Sequence, residues 1–352
     1  MNILVLGGGA QGRVIAADLA TRLPQARITV ADLRDPQLRP LPNLSWREVD
    51  CSVSGTLARL MGEHDFAIGA LPSRHGFAAM KAAIEAKRNL VDVSFCGEDV
   101  LELDDAARAA GVTIIPDAGL APGISNLVAG EAYARRGAPQ ELVIMVGGVA
   151  QDRSQPYGYC VTWSLDDLTE EYTRPARIVR GGRKAVVPVF SGMERVPVEG
   201  VGELEAFFSD GLRSLMDTLP GVPEMGEKTL RWPGHAEAVK PLVAAGRLAE
   251  ELRARCTLTP PLDLAVLLVR MRWAGGEEGI TLVDRYDPFT GLSAMARTTA
   301  FTTAVTAQMV AGGIVPPAGV QPLELVARDP RAYRAMIEGL EAHGVRLDRR
   351  IS

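Results

Sequence analysis

The sequence predicts an α/β protein: a Rossmann-type doubly wound parallel sheet joined to a second, α+β domain. Three observations predict this. An apolar strand pattern runs into G-x-G-x-x-G at the start, helix and strand patterns alternate as far as residue 116, and long strands joined by glycine hairpins follow. The 352 residues suit about two domains of roughly 150 residues each.

Ile3 to Leu6 is an uninterrupted apolar run, as expected for a parallel strand buried on both faces. Gly7, Gly9 and Gly12 come next, then a helix from about Arg13 to Arg22, a break at Pro24, and a strand from Arg27 to Ala31 that ends at Asp32. Each part has a physical task in holding a dinucleotide. Gly7 permits a tight turn, Gly9 lets backbone approach a pyrophosphate, Gly12 lets helix and strand pack closely, and the helix N-terminus offers free N–H groups. Asp32 would accept hydrogen bonds from a ribose and would repel a 2′-phosphate, which favours NAD over NADP, although Arg34 could accommodate that phosphate.

The alternation continues with a helix at Leu57 to Met61, a strand at Phe66 to Leu71 closing at Pro72, and a helix at Gly76 to Ala86. A strand at Leu90 to Phe95, a helix at Leu103 to Ala110 and a strand at Val112 to Pro116 complete it. Ligands of doubly wound sheets sit beyond the carboxyl ends of the strands. The segments at Leu71-Pro72, Asp92 to Phe95 and Asp117 to Gly119 should therefore line one cleft. The cofactor residues expected are Gly7, Gly9, Gln11, Gly12, Asp32, Leu71 and Pro72.

Beyond the turn around Pro122-Gly123, strands are expected at Leu142 to Val149, in a hairpin from Ala176 to Phe190, and in another from Ala265 to Asp287. A long helix from Ser293 to Ala311 and a short C-terminal helix should pack back on the first domain. The expected division is 1–124 plus 294–352 for the dinucleotide domain, and 125–293 for the α+β domain.

Composition excludes several classes. The chain has 38 basic and 43 acidic residues, with no basic stripe to follow a nucleic-acid backbone. No run approaches the roughly 20 apolar residues of a membrane span. Met1 to Leu6 lacks a charged leader region, and the four cysteines form no C-x-x-C pair. A cytoplasmic protein without nucleic-acid or membrane partners is expected. No set of His, Cys and acidic residues has metal-ligand spacing, so no metal is expected; His64 and His343 fall in segments read as surface, and His75 near a helix start.

Longer strings carry a family resemblance. These are Asp117 to Gly123; Gly147-Gly148 followed by Pro156 to Tyr159 and Trp163-Ser164; Glu170 to Ala176; Leu204 to Leu212; and Glu227 to His235. Together they resemble the saccharopine dehydrogenase family over almost the whole chain, most closely its L-lysine 6-dehydrogenase branch. The resemblance implies a second domain that binds substrate and forms much of a homodimer or higher homo-oligomer. It also implies NAD-dependent oxidative deamination of L-lysine at its 6-position, giving the semialdehyde, which cyclises to a piperideine carboxylate, and ammonia. In the glutamate-forming saccharopine reductases of the same family an aromatic residue stands at the place of His235 and a glutamate at that of Asp117. The alternatives are a saccharopine-type enzyme that splits a secondary amine into aldehyde and glutamate, and a catalytically silent NAD-binding sensor.

Residue types can be set against that chemistry. A substrate carboxylate needs a bidentate fork, for which Arg231 is the choice, or else Arg231 makes an ordinary salt bridge. An amine with pKa near 10.4 must lose a proton before hydride can leave, at a cost of roughly 4 to 5 kcal/mol at neutral pH. His235 is the natural acceptor by residue type, or a turn histidine held by hydrogen bonds. Asp117 and Asp92 end neighbouring strands and could hold an ammonium, act as the base, or merely cap loop amides. Ser94 matches a substrate-contacting serine by resemblance, or closes a turn. Tyr159, with Trp163, forms either an aromatic wall for substrate or part of the core.

Overall fold

The computed structural model describes residues 1–53 and 55–352. It divides into two compact units, Met1–Glu131 with Thr299–Gly344, and Ala132–Thr298 with Val345–Ser352.

The first unit is built on β1 (Asn2–Leu6), β2 (Arg27–Asp32), β3 (Leu44–Glu48), β4 (Phe66–Gly69), β5 (Leu90–Asp92) and β6 (Thr113–Ile115). They lie parallel in the order β3-β2-β1-β4-β5-β6, with the two-residue strand Gly319–Val320 added beside β6. The order reverses between β1 and β4, which is the switch point at which such sheets hold ligands. β4, β5 and β6 are buried throughout, which explains the apolar runs Phe66–Ile68, Leu90-Val91 and Ile114-Ile115 within them. β3 went unread because it is an edge strand in which only Leu44 and Trp46 are partly buried, so its sequence lacks the apolar run of the central strands. Helices Ala10–Arg22, Gly76–Ala86 and Asp104–Ala110 follow β1, β4 and β5. The first begins three residues before the expected start and takes in Gly12, whose lack of a side chain is required there: a Cβ would lie 1.9 Å from the Gly7 carbonyl oxygen.

The second unit carries a nine-stranded mixed sheet. Its strands are β7 (Glu141–Ala150), β8 (Ala176–Arg180), β9 (Arg183–Val187), β10 (Glu194–Val198), β11 (Gly202–Ser209), β12 (Met225–Arg231), β13 (Asp263–Trp273) and β14 (Gly276–Arg285), plus Asp348–Ile351. The order is β10-β11-β12-β7-β13-β14 and then Asp348–Ile351, with the β8–β9 hairpin attached to β12. Only β7 and β12 pair in parallel. The last eight residues, expected with the dinucleotide domain, belong here instead, because Asp348–Ile351 hydrogen-bonds along β14. Charge fixes that strand: Glu278 on β14 is fully buried and meets Arg349 and Arg135 at 2.6 Å each and Arg136 at 3.6 Å.

The period of two divides β11 and β12 between two environments. Glu205, Phe207 and Ser209 stand opposite Arg231, Thr229 and Glu227 on one face. Phe207 there packs into an aromatic and aliphatic cluster with Tyr159, Tyr172, Val239 and Leu252. Leu204, Ala206 and Leu230 point the other way, into a separate cluster with Val196, Val266 and Leu268.

Glu278→Gln should lower unfolding stability by about 2 kcal/mol, because charge-assisted bonds to partly exposed arginines are lost while the volume is kept. A urea midpoint unchanged from that of the parent chain would contradict this account of the C-terminal strand.

Candidate active-site residues

In the first unit, Gly7 leaves β1 with φ of +92°, and a Cβ there would lie 2.4 Å from the Ala70 carbonyl oxygen. The loop is therefore pressed against the residue following β4. Gly9 differs: it is exposed and a Cβ on it would meet nothing within 4 Å, so its outer side is open. It caps the helix Ala10–Arg22 without any side-chain bond, which leaves the first-turn N–H groups turned to that open side. Gln11 lies in this turn with Oε1 buried and unpartnered. Asp32 ends β2 and accepts from the Gly8 amide at 2.6 Å and the Arg34 amide at 2.9 Å. Leu71 and Pro72 come next after Ala70, half-buried and exposed respectively. The cradle fits a pyridine dinucleotide: amides for phosphate, no side chain at the point of closest approach, and a carboxylate at the end of β2.

The ends of β5 and β6 bring Asp92, Ser94 and Asp117 together. Asp92 is fully buried; its Oδ1 accepts from the Ser94 amide at 2.7 Å and from the Ser94 hydroxyl, while Oδ2 has no partner. Oδ2 lies over Gly69 of β4, where a Cβ would approach within 1.8 Å. Burial pushes the Asp92 carboxyl up to about 7; the Ser94 bonds oppose this and the nearby Asp117 carboxylate adds to it. Asp117 is itself buried and adopts φ of +54°, a left-handed conformation that costs a non-glycine residue energy and that clusters at functional sites.

In the second unit the sheet face described above brings Arg231, Tyr159 and His235 together. Arg231 is 3% exposed. Its Nε donates to the Tyr172 hydroxyl at 2.6 Å and one terminal nitrogen to the Leu230 carbonyl at 2.9 Å, while the other stands 3.7 Å from Glu171 Oε1. Its guanidinium carbon lies 5.4 Å from the Tyr159 ring centre and 5.5 Å from that of Tyr172. Burial raises both tyrosine hydroxyl pKa values, with Arg231 opposing. Tyr159 is fully buried core, with its oxygen bonded to Trp163 Nε1 at 3.0 Å.

His235 opens the helix His235–Ala244, whose first turn is held by Glu205: the amides of Gly234 and Ala236 both donate to that carboxylate at 2.7 Å. His235 Nδ1 lies 2.7 Å from the Tyr157 carbonyl, which can only accept, so the ring proton sits on Nδ1. Nε2 then accepts from the Tyr172 hydroxyl at 2.9 Å. Burial and the Arg231 charge lower this histidine to about 3. The expectation that His235 takes the substrate proton meets a physical obstacle, because both nitrogens are engaged and the ring stays neutral. It is placed to orient Tyr172, and through it Arg231.

Sequence reasoning passed over Tyr172, Glu171 and Glu205. All three lie in strings that carried the family resemblance; for Glu205 the available signal was the i, i+2 pattern with Phe207 and Ser209 on β11, whereas Glu171 and Tyr172 are neighbours on the helix Leu165–Thr173 and offered no such period. His64, expected at the surface, is 8% exposed and bonds the Leu60 carbonyl at 2.8 Å. Among the described residues no group of three or more His, Cys, Asp and Glu is placed to hold a metal, and no helix is long and apolar enough to cross a membrane.

Comparison with known proteins adds to this geometry. Residues 3–115 match the saccharopine dehydrogenase NADP binding domain, and residues 119–345 the saccharopine dehydrogenase C-terminal domain. The chain is 26% identical over 264 residues to the NADP(+), L-glutamate-forming saccharopine dehydrogenase of Saccharomyces cerevisiae, covering 71% of this chain and 59% of that protein. It is 27% identical over 217 residues to the corresponding Pyricularia oryzae protein, covering 58% and 48%. It thus spans about half the length of these curated relatives. The apo structure of the L-Glu-forming Saccharomyces cerevisiae enzyme superposes with a TM-score of 0.75 at 19% identity, covering 100% of this chain and 99% of that one, and shares the fold.

Gly9→Ala separates fold from binding. The added methyl has room, so thermal unfolding should stay within about 1 °C of the parent, since the change in stability is under roughly 0.5 kcal/mol. Dinucleotide affinity should fall tenfold or more, because the methyl occupies the side from which the pyrophosphate approaches. Calorimetric titration showing unaltered affinity would show that the dinucleotide does not approach here.

Proposed function

We propose, from the premise that this chain belongs to the saccharopine dehydrogenase family, that it oxidises a side-chain amine of an amino acid, with NAD as acceptor and L-lysine, at its 6-position, as substrate. The observation that carries this reading is Asp92. It is a buried carboxyl at the carboxyl end of a nucleotide-sheet strand, with one oxygen unpartnered and a pKa pushed up to about 7.

Oxidation of an amine needs that group. Lysine's ammonium has no free lone pair until a proton leaves, and an acceptor near neutrality serves this best. Asp92 takes the proton on Oδ2, while Ser94 holds Oδ1. Asp117 alongside favours the protonated form of Asp92 and supplies negative charge for the cationic substrate. NAD, held by Gly7, Gly9, Gln11, Gly12 and Asp32, with Leu71 and Pro72 beside it, supplies hydride acceptance when bound. In the second unit, Arg231 is the residue proposed for a substrate carboxylate, on its forked guanidinium. One water added to the resulting iminium gives the aldehyde and ammonium, and the proton held by Asp92 passes to solvent, so that lysine, NAD and water balance aldehyde, ammonium, NADH and one proton. Preference for NAD rests on Asp32, whose carboxylate stands where a 2′-phosphate would be repelled. Assembly into a homodimer through the second unit is proposed on the family resemblance.

The printed names of the relatives favour a second reading, a saccharopine-type dehydrogenase using NADP. Reduction of NAD and of NADP by the purified chain with L-lysine, saccharopine and L-ornithine, with ammonia and glutamate assayed at the end, decides between them. NADH with equal ammonia from L-lysine is the expected result. Glutamate from saccharopine, with no turnover of lysine, would replace it by the second reading; no turnover of any substrate despite nucleotide binding would favour a sensor.

The pH dependence carries its own sign. Asp92 must be ionised to accept a proton, so kcat/KM should fall about tenfold per unit below pH of about 7. Asp92→Asn should lower kcat by roughly 10²–10⁴-fold and remove that limb. A limb that persists in the variant would assign it to another group.

A further inference from the structure

We propose that Glu171 and Arg231 together form an anchor for the zwitterionic end of a free amino acid, Arg231 taking the α-carboxylate and Glu171 the α-ammonium, so that Glu171 selects α-amino acids over simple carboxylic acids. The inference rests on the reading that the substrate is an amino acid.

The geometry separates this pair from an ordinary salt bridge. A carboxylate that only neutralises a buried guanidinium closes to about 2.7–2.9 Å, commonly with both oxygens. Glu171 instead stands 3.7 Å from the nearest Arg231 nitrogen, beyond hydrogen-bond length. Two bonds hold the partners apart. The Thr229 hydroxyl, itself 2.9 Å from Ser209 Oγ, bonds Glu171 Oε1, while the Tyr172 hydroxyl accepts Arg231 Nε–H at 2.6 Å. Arg231 thereby keeps N–H groups on its terminal nitrogens for a ligand. The Glu171 side chain is 17% exposed against 3% for Arg231, so a ligand reaches the carboxylate without unpacking the cluster.

Electrostatics then discriminates. A lone buried guanidinium attracts any carboxylate. With Glu171 fixed beside it, a carboxylate that brings no cation is repelled by Glu171, whereas the matched dipole of an α-amino acid meets opposite charge at both ends. The acid that lacks the ammonium also leaves Glu171 desolvated and uncompensated, an asymmetry that separates analogues more strongly than apolar contact does.

L-Norleucine and hexanoate test this, because they share a carbon chain, differ in the α-ammonium, and carry no side-chain amine to oxidise. Their dissociation constants are measured by calorimetry on the full chain with NADH present. The parent should bind L-norleucine at least tenfold tighter than hexanoate, and Glu171→Gln should bring that ratio below about threefold with NADH affinity unchanged. Glu171→Asp, which keeps the charge but draws it back, should give an intermediate ratio and serves if the glutamine variant does not fold. A parent that binds the two equally or binds neither, or a variant that keeps the full ratio, overturns the proposal. Because norleucine binding needs no turnover, failure of L-lysine oxidation with the ratio intact would remove the lysine reading and leave Glu171 in place.

Discussion

Burying the guanidinium of Arg231 organises the second unit around one charge. Taking an ion out of water costs several kcal/mol unless hydrogen bonds and a counter-charge replace the solvent. Tyr172, the Leu230 carbonyl, Glu171 and the faces of two tyrosine rings share that replacement. Each of these is then constrained in turn. Tyr172 can accept from Arg231 only by aiming its own proton at His235, and His235 can receive that proton only as the tautomer with hydrogen on Nδ1, which the Tyr157 carbonyl provides. Glu205, paired with Arg231 across the strands, fixes the turn that carries His235. The chain of donors and acceptors has one self-consistent arrangement, and a network satisfied in this way is rigid.

The first unit uses the opposite economy. Its carboxyl Asp92 is buried with one oxygen unanswered, and the protein holds a group whose two protonation states are nearly balanced at neutral pH rather than a fixed charge. Where Arg231 is stabilised as an ion by everything near it, Asp92 is kept from being one by desolvation and by Asp117. Buried groups whose surroundings push their pKa values apart are what acid–base chemistry on a single chain needs. The left-handed backbone at Asp117, whose neighbour Ala118 accepts from Thr303 and donates to Asp92 through main-chain atoms, shows that this strand end is held in place from two sides.

How much was legible followed the range of the forces involved. The glycine loop, β1, β2 and the helix Gly76–Ala86 were readable because turn geometry and burial on both faces act on contiguous residues. β3 escaped because an edge strand carries little apolar sequence, and β11 because its apolar residues serve two different clusters, Phe207 in one and Leu204 and Ala206 in the other, which breaks any simple run. Asp92, Asp117, Arg231 and His235 could be picked out by residue type and place, and two strand ends did bring Asp92 and Asp117 together. Their protonation could not be read, since it depends on neighbours tens of residues distant.

The sequence by itself determined the dinucleotide cradle, since every part of it, from Gly7 to Asp32, is local and each residue is demanded by backbone geometry or by the ligand's charge. Tertiary structure alone decided the surroundings, and so the protonation, of the buried titratable groups. Tyr172 lies 63 residues from His235 and 59 from Arg231, and only the packing of the helices Leu165–Thr173 and His235–Ala244 beside the end of β12 brings the three together. Desolvation then makes the histidine, poised near neutrality in water, a neutral strut, and pushes the aspartate, an ordinary carboxylic acid ionised at neutral pH in water, up to about 7. A pKa is a property of the surroundings, and surroundings are made by the fold.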